Sequence, residues 1–259
     1  MKKRIILIIF TLAYVSGCSN IEWLNYSDGN ISINIPVKEN GYLYYPNEEA
    51  IISELNYQNK LVDQITDKYG VKLKGKINIY LYPKEIAFEN IGTVNGGGYD
   101  ILVNKILYVL SEPCISVISE EKSLLGDHET VHAIFIKSMG YSKSRLITEG
   151  LAVAIDKGYG TYKKNGTRYR VSIYEIVRDQ VIQKQILSIK NLCSGNGKEE
   201  LFYPQAGIFI EWLIRIYGFE KYKEIYNNTD KKILDETQKY FGISIEELEH
   251  NYRIYLLNL

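Results

Sequence analysis

The segment His128-Glu129-Thr130-Val131-His132 carries the side chains best suited to metal chemistry. Two histidines four residues apart on a helix project from the same face, so both imidazoles could bind one ion. Glu129 lies one step round the helix, where it could take a proton from a water on the ion without binding the ion itself. The chain has only 3 histidines, and two of them lie here. The spacing predicts a metal site with His128 and His132 as ligands and Glu129 as general base.

A third ligand is needed, and Glu149 is the candidate. It lies in the apolar segment Leu146-Ile147-Thr148-Glu149-Gly150-Leu151-Ala152, which we predict to be the next helix. A carboxylate in such a helix is costly to bury without a partner. Zinc is a sufficient partner, because it binds imidazole and carboxylate and keeps a fourth position for water. The alternative is an exposed glutamate that interacts with the start of its helix. The sequence thus predicts a Zn²⁺ site.

Two further side chains have chemistry that could bear on a metal site. Asp156 follows Glu149 by seven residues and shares nearly the same helix face. It could orient a metal-bound imidazole, or it could simply be solvated at the end of the helix. His250 stands alone on a polar-rich last helix, so we expect a surface histidine.

The histidine pair around a glutamate, followed by Thr148-Glu149-Gly150-Leu151-Ala152, resembles the gluzincin metallopeptidases and most of all the compact bacterial peptidase-MA-like group. The resemblance covers roughly residues 40–259. It implies that the two histidines and Glu149 bind zinc and that Glu129 is the catalytic base. It also implies a thermolysin-like arrangement, with the zinc site between a small N-terminal lobe and a mainly helical C-terminal lobe.

The resemblance extends to the segment that begins at Tyr203 and to the ending Gly242-Ile243-Ser244-Ile245-Glu246-Glu247-Leu248-Glu249. It implies that Tyr203 donates a hydrogen bond to the oxyanion of the transition state, although most of the 23 tyrosines are expected to be packing residues. The Gly-Ala-Met-Glu-Asn signature that anchors a free substrate amine is missing, which favours cleavage within a chain. Residues 96–103 could bind substrate as a strand or could form a plain hairpin.

The N-terminus has the pattern of an export signal. Lys2, Lys3 and Arg4 precede a mainly apolar run over residues 5–15, which is shorter than the roughly 20 residues of a membrane-spanning helix. Val15-Ser16-Gly17-Cys18 resembles the bacterial lipobox. We therefore expect removal of residues 1–17 and a lipid on Cys18 that anchors the protein to the outer face of the bacterial cell membrane. An ordinary signal peptide, which would release a free protein, is the alternative.

Charge and cysteine content limit the expected partners. The 31 basic residues balance 31 acidic ones, and no basic cluster suggests a nucleic-acid partner. The expected partners are a peptide or protein substrate and, through the anchor, the membrane. Cys114 and Cys193 could pair in an exported protein or remain two buried thiols. The sequence leaves the oligomeric state open. A rival hypothesis is a non-catalytic surface lipoprotein that binds a partner with the same fold, but such a protein would not need Glu129.

The order of elements predicts an α+β fold. A tether over residues 18–40 leads into short strands, an N-terminal lobe follows over 41–120, and a helical zinc-binding lobe occupies 121–259. Periodicity and turn residues predict a helix from about Glu48 to Gly70, and strands over 76–82, 98–103 and 106–110. Further helices are predicted over 123–137, 146–155 and 206–217 and after the capping box at Ser244.

Overall fold

A computed structural model describes residues 8–11, 22–37, 48–83, 97–100, 105–110, 125–164, 167–195 and 197–259. The chain divides into two compact units, Met1–Ser138 and Met139–Leu259. The first combines a sheet with helices and the second is mainly helical, which confirms the predicted α+β class. The predicted lobe boundary at residues 120–121 lies outside the described residues.

The first unit is built on a mixed sheet. Its described elements are β1 (Ile8–Thr11), β2 (Glu22–Asp28), β3 (Ile31–Pro36), α1 (Glu48–Tyr69), β4 (Ile77–Pro83), β5 (Gly97–Asp100), β6 (Lys105–Leu110) and α2 (His128–Met139). The strand order is β1-β2-β3-β4-β6-β5, with the central strands β3, β4 and β6 parallel and the other pairs antiparallel. Ile33 faces Ile79 and Ile79 faces Ile106 in the register, so fully buried isoleucines form a row across the centre.

Strands β2 and β3 lie within residues 18–40, which we predicted as a tether that leads into short strands. The alternating isoleucines of β3 are buried, and the polar residues between them are buried as well. The Asn25 amide donates to Asn34 Oδ1 at 2.8 Å, and the Asn34 amide donates to the Ile79 carbonyl at 3.1 Å. These buried side chains have partners, so a segment with a polar appearance can occupy the interior.

Helix α1 matches its predicted bounds, from Glu48 to the stop at Gly70, where φ is +59°. Asn59 attaches it to the β2–β3 turn: its amide donates to the Asp28 carbonyl at 2.9 Å and its Oδ1 accepts from the Asn30 N–H at 2.8 Å. The predicted strand at 76–82 is confirmed as β4, and β5 and β6 form the predicted antiparallel pair. The intervening residues 101–104 lie outside the described part.

The second unit is mainly helical. Its described elements are α3 (Arg145–Asp156), β7 (Gly158–Lys164), β8 (Thr167–Ser172), α4 (Ile173–Ile182), α5 (Ile189–Cys193), α6 (Glu199–Tyr217), α7 (Phe219–Tyr226), α8 (Asp230–Asp235), α9 (Thr237–Phe241) and α10 (Ile245–Leu257). The strands β7 and β8 pair as an antiparallel hairpin. Helix α10 starts at the predicted cap, where the Ser244 hydroxyl accepts from the Glu247 N–H. No helix in the described ranges has both the length and the apolar character needed to span a membrane.

Glycines allow α3 and α6 to pack at short range. A Cβ atom on Gly150 would lie 2.5 Å from Ile210 Cγ1 and 2.9 Å from the Ala206 carbonyl oxygen. A Cβ on Gly207 would lie 2.5 Å from Val153 Cγ1. These distances are shorter than van der Waals contact, so only glycine fits at either position. The packing fixes the backbone beside Glu149, which directly precedes Gly150.

Candidate metal centre

Helix α2 begins at His128, five residues later than the start predicted at Ser123. Leu125 to Asp127 are not helical, and Gly126 has a φ of +77°. His128, Glu129 and His132 therefore lie in the first two turns of the helix. The predicted helix itself is confirmed, but its predicted start is wrong.

A buried polar network joins α1 to the start of α2. The Gln58 amide donates to the Gly126 carbonyl at 3.1 Å and to Glu54 Oε1 at 2.7 Å. Gln58 Oε1 accepts from the Thr130 hydroxyl at 2.7 Å. Glu54, Gln58 and Thr130 are all buried. Just outside this set, the Tyr57 hydroxyl donates to Asp127 Oδ1 at 2.7 Å. These bonds hold the turn that leads into the histidine helix.

Helix α3 has a defined start of its own. The Ser144 hydroxyl caps it by accepting from the Ile147 N–H at 3.0 Å, and Ser144 is buried. The Tyr222 hydroxyl from α7 donates to the Ile147 carbonyl at 2.8 Å. A side-chain cap stabilises a helix by about 1 kcal/mol and fixes which residue begins it. The cap therefore sets the position of Glu149 in the second turn.

The structure brings together the three predicted ligands. His128, His132 and Glu149 each offer one ligand atom that lies within 4.8 Å of the other two, and this candidate metal group could hold a metal ion. The two Nε2 atoms of the histidines are 3.1 Å apart, and the ring planes are at 86°. All three residues are at least partly buried.

The donor set of this candidate metal group fits zinc. Zinc accepts imidazole nitrogen and carboxylate oxygen at about 2.1 Å, and two tetrahedral ligands at that distance are about 3.4 Å apart. The Nε2 separation of 3.1 Å is close to that value. At this distance one ring can donate an N–H to the other, whereas a cation between the rings would take one lone pair from each.

Tyr203 lies in the second turn of α6, which begins at Glu199, seven residues before the start predicted at residue 206. Its hydroxyl accepts a hydrogen bond from Arg145 Nη2 at 3.3 Å, and its ring stacks on Tyr159 with centroids 5.5 Å apart. Burial raises the pKa of Tyr203 above the ordinary value of 10.0, and the charge of Glu149 raises it further, whereas Arg145 lowers it. The phenol therefore keeps its proton at neutral pH.

A proline inside α6 is accommodated by a neighbouring helix. Pro204 has no N–H, so it cannot bond the carbonyl of Glu200 four residues earlier. The Gln180 amide of α4 donates to that carbonyl at 2.9 Å. Gln205 in turn donates to Gln180 Oε1 at 2.9 Å and to the Gln185 carbonyl at 2.9 Å. The side chains of Gln180 and Gln205 thus stabilise the turn that holds Tyr203.

The remaining predicted residues have these positions. Glu129 is partly buried in the first turn of α2, and Asp156 is the partly buried last residue of α3. The proposed role of each stays a prediction. His250 is exposed on α10, which confirms the prediction of a surface histidine. Cys193 is buried in α5, while Cys18 and Cys114 lie outside the described residues.

Sequence reasoning missed three residues near the site. Gln58 and Thr130 support the start of α2, and Arg145 contacts Tyr203. A signal existed for the first pair, since a glutamine on the apolar face of α1 needs a partner. Arg145 had no such signal, because an arginine at the start of a helix is commonly solvated.

No model of a known protein family matches the chain, and no curated protein matches it. The functional interpretation therefore depends on the side chains described above and on their geometry.

Proposed function

We propose that this chain is a zinc-dependent peptidase of the gluzincin kind that cuts within peptides or proteins. The observation that carries the proposal is the close approach of the ligand atoms of His128, His132 and Glu149, with Glu129 next to the first ligand on the same helix. Two imidazoles and one carboxylate make a three-ligand zinc set that leaves a position for chemistry. A partner-binding protein would not need Glu129 beside that set.

Each side chain has a separate task in the proposed reaction. Zinc, when bound, polarises the peptide carbonyl and acidifies water. Glu129 accepts the proton of the attacking water and then delivers it to the leaving amine. Tyr203, whose pKa is raised by burial, donates a hydrogen bond to the oxygen that becomes negative. Asp156 is the candidate for orienting an imidazole.

The remaining parts of the proposal come from the sequence. The gluzincin resemblance supports a peptidase-MA-like protein with a thermolysin-like arrangement. The lipobox-like segment that ends at Cys18 supports export and anchorage at the outer face of the cell membrane. Substrates would then be peptides or proteins at that surface.

The first test distinguishes a role of Glu129 as the general base from a role in binding the metal. Glu129→Gln should keep about one zinc per chain and lose peptide hydrolysis, because a general base is needed for turnover and not for metal binding. Zinc content is measured by elemental analysis and hydrolysis with quenched peptides, with and without a chelator. Loss of zinc together with activity would mean that Glu129 holds the site together and is not the base.

The second test addresses the third ligand. Glu149→Ala should lose zinc and activity, whereas Glu175→Ala, at an exposed position of α4, should lose neither. If Glu149→Ala binds zinc as tightly as the parent, Glu149 is not the third ligand. A parent protein that binds zinc and cleaves no peptide would instead favour the partner-binding lipoprotein.

A further inference from the structure

Arg145 is a cation beside the candidate metal group that the proposed reaction does not use. It is the first residue of α3, one helical turn before Glu149, and residues at this spacing lie on the same face with Cβ atoms about 5–6 Å apart. The hydrogen bond with Tyr203 contributes most to the raised pKa of Arg145, and the charge of Glu149 also raises it. The guanidinium therefore lies close to both the proposed third ligand and the proposed oxyanion donor.

Aromatic rings hold the guanidinium in place. Its central carbon lies 4.6 Å from the centroid of the buried Phe202 ring and 5.2 Å from that of Tyr203. A cation near the face of an aromatic ring is attracted to it, which restricts where the side chain can lie. The Arg145 side chain is 41% exposed, so part of it reaches solvent. Arg145 is thus oriented and also accessible.

The donors of Arg145 are only partly used. Among the described residues, the Arg145 side chain makes two hydrogen bonds, and Nη2 donates both of them: to Tyr203 at 3.3 Å and to Glu199 at 3.5 Å. A guanidinium has five N–H donors, so Nε and Nη1 can serve another acceptor. Glu199 is 72% exposed, and an exposed ion pair at such a distance contributes little. An incoming anion can therefore bind here without displacing a strong partner.

We propose that Arg145 binds a carboxylate of the substrate and makes the site selective for peptides that carry one next to the cleaved bond. The proposal rests on the peptidase function proposed above and adds a substrate class to it. An arginine edge matches a carboxylate in geometry and charge. Because consecutive peptide residues advance by about 3.5 Å, the carboxylate lies within about two residues of the cleaved bond. The source is either an Asp or Glu side chain or the C-terminal carboxylate.

Paired quenched peptides test the proposal. One pair differs only by Glu against Gln on one side of the cleaved bond, a second on the other side, and a third by a free against an amidated C-terminus. The parent should cleave the charged member of one pair about tenfold more efficiently, mainly through a lower KM. The pair that shows the preference identifies the source of the carboxylate. The preference should weaken as salt is raised.

Variants of Arg145 decide whether this residue is responsible. Arg145→Gln should remove the preference, Arg145→Glu should reverse it, and Arg145→Lys should keep part of it, because lysine retains the charge without the planar fork. Lys143→Gln removes the same charge at an exposed position two residues away and should leave the preference unchanged. Zinc content and the thermal midpoint are measured for each variant, so that a misfolded protein is recognised.

The outcomes separate this inference from the proposed function. If the parent cleaves both members of every pair equally well, or if Arg145→Gln keeps the parental preference, Arg145 does not bind a substrate carboxylate. The peptidase function would survive either result. If the zinc-loaded parent cleaves none of the peptides, the proposed function is wrong and the role of Arg145 falls with it.

Discussion

At the scale of single residues, Tyr203 and Arg145 form a hydrogen-bonded pair in which each side chain has its own proposed role. Tyr203 stabilises the oxyanion, and Arg145 binds a carboxylate of the substrate. The Tyr203 oxygen accepts from Arg145, and a phenol that accepts one hydrogen bond can still donate its own proton to a different acceptor. Burial raises the pKa of this phenol, which favours the protonated form. The protonated form is the one that can stabilise an oxyanion.

Tyr203→Phe should lower kcat by at least about 100-fold and leave KM and zinc content near parental values, because the lost bond forms in the transition state. Since its pKa lies above 10.0, ionisation of Tyr203 should cause no loss of activity as pH rises from 7 to 9. The measurements are kcat, KM and a pH profile of the parent. Tyr217→Phe, in the last turn of the same helix, is the control. A normal kcat in Tyr203→Phe would show that another group stabilises the oxyanion.

Side chains whose type and spacing imply a specific chemistry could be predicted from the sequence. The His128 and His132 spacing and the apolar surroundings of Glu149 predicted a group that the structure brings within 4.8 Å. Arg145 could not be predicted, because its importance comes from contacts with α6, 58 residues away along the chain. Such contacts are set by helix packing and leave no local pattern.

At the scale of elements, the start of α2 depends on α1. The bonds of Gln58 to Gly126 and Thr130 determine where α2 begins and thus where its histidines point. This is why the helix begins at His128, although local periodicity favoured Ser123. By contrast, α1 ends and α10 begins at local signals, Gly70 and Ser244, and both of these positions were predicted correctly.

Gln58→Leu should weaken zinc binding by about tenfold, the lower end of the loss seen when an outer partner of a metal site is removed. Thr130→Val, which keeps the side-chain shape but removes the hydroxyl, should act in the same direction. Each change leaves a buried polar atom without this bond, at a cost of about 1–3 kcal/mol in the free energy of unfolding. Zinc affinity is measured by competition with a chelating dye.

A stability-matched control is needed for these two variants. Ile79→Val removes one methyl group from the centre of the sheet and should lower the free energy of unfolding by about 1 kcal/mol without changing zinc affinity. If Ile79→Val weakens zinc binding as much as Gln58→Leu does, the network has no specific role in placing the histidines.

At the scale of the whole molecule, the sheet and the proposed export signal overlap. Strand β1 pairs with β2 and lies inside residues 1–17, which the signal-peptide prediction removes. Without residues 1–17, β2 would be the edge strand of this sheet, because β1 is its neighbour on that side.

Cys18→Ala should abolish incorporation of a labelled fatty acid and move the protein from the membrane fraction to the soluble fraction, because lipidation requires the thiol. Cys193→Ala removes a buried thiol of α5 and should leave the label in place. Fractionation and labelling in a bacterial host are the measurements. Equal labelling of Cys18→Ala and the parent would rule out the proposed anchor.

The proline of α6 makes one helix depend on another for a backbone bond. In Pro204→Ala a main-chain N–H can again reach the Glu200 carbonyl, and the Gln180 amide becomes partly redundant. Gln180→Leu should therefore cost less stability in the Pro204→Ala background than in the parent, as measured by thermal denaturation of all four proteins. Additive losses would mean that the two helices are energetically independent here. Coupling would mean that a side chain outside the proposed chemistry sets the rigidity of the turn that carries Tyr203.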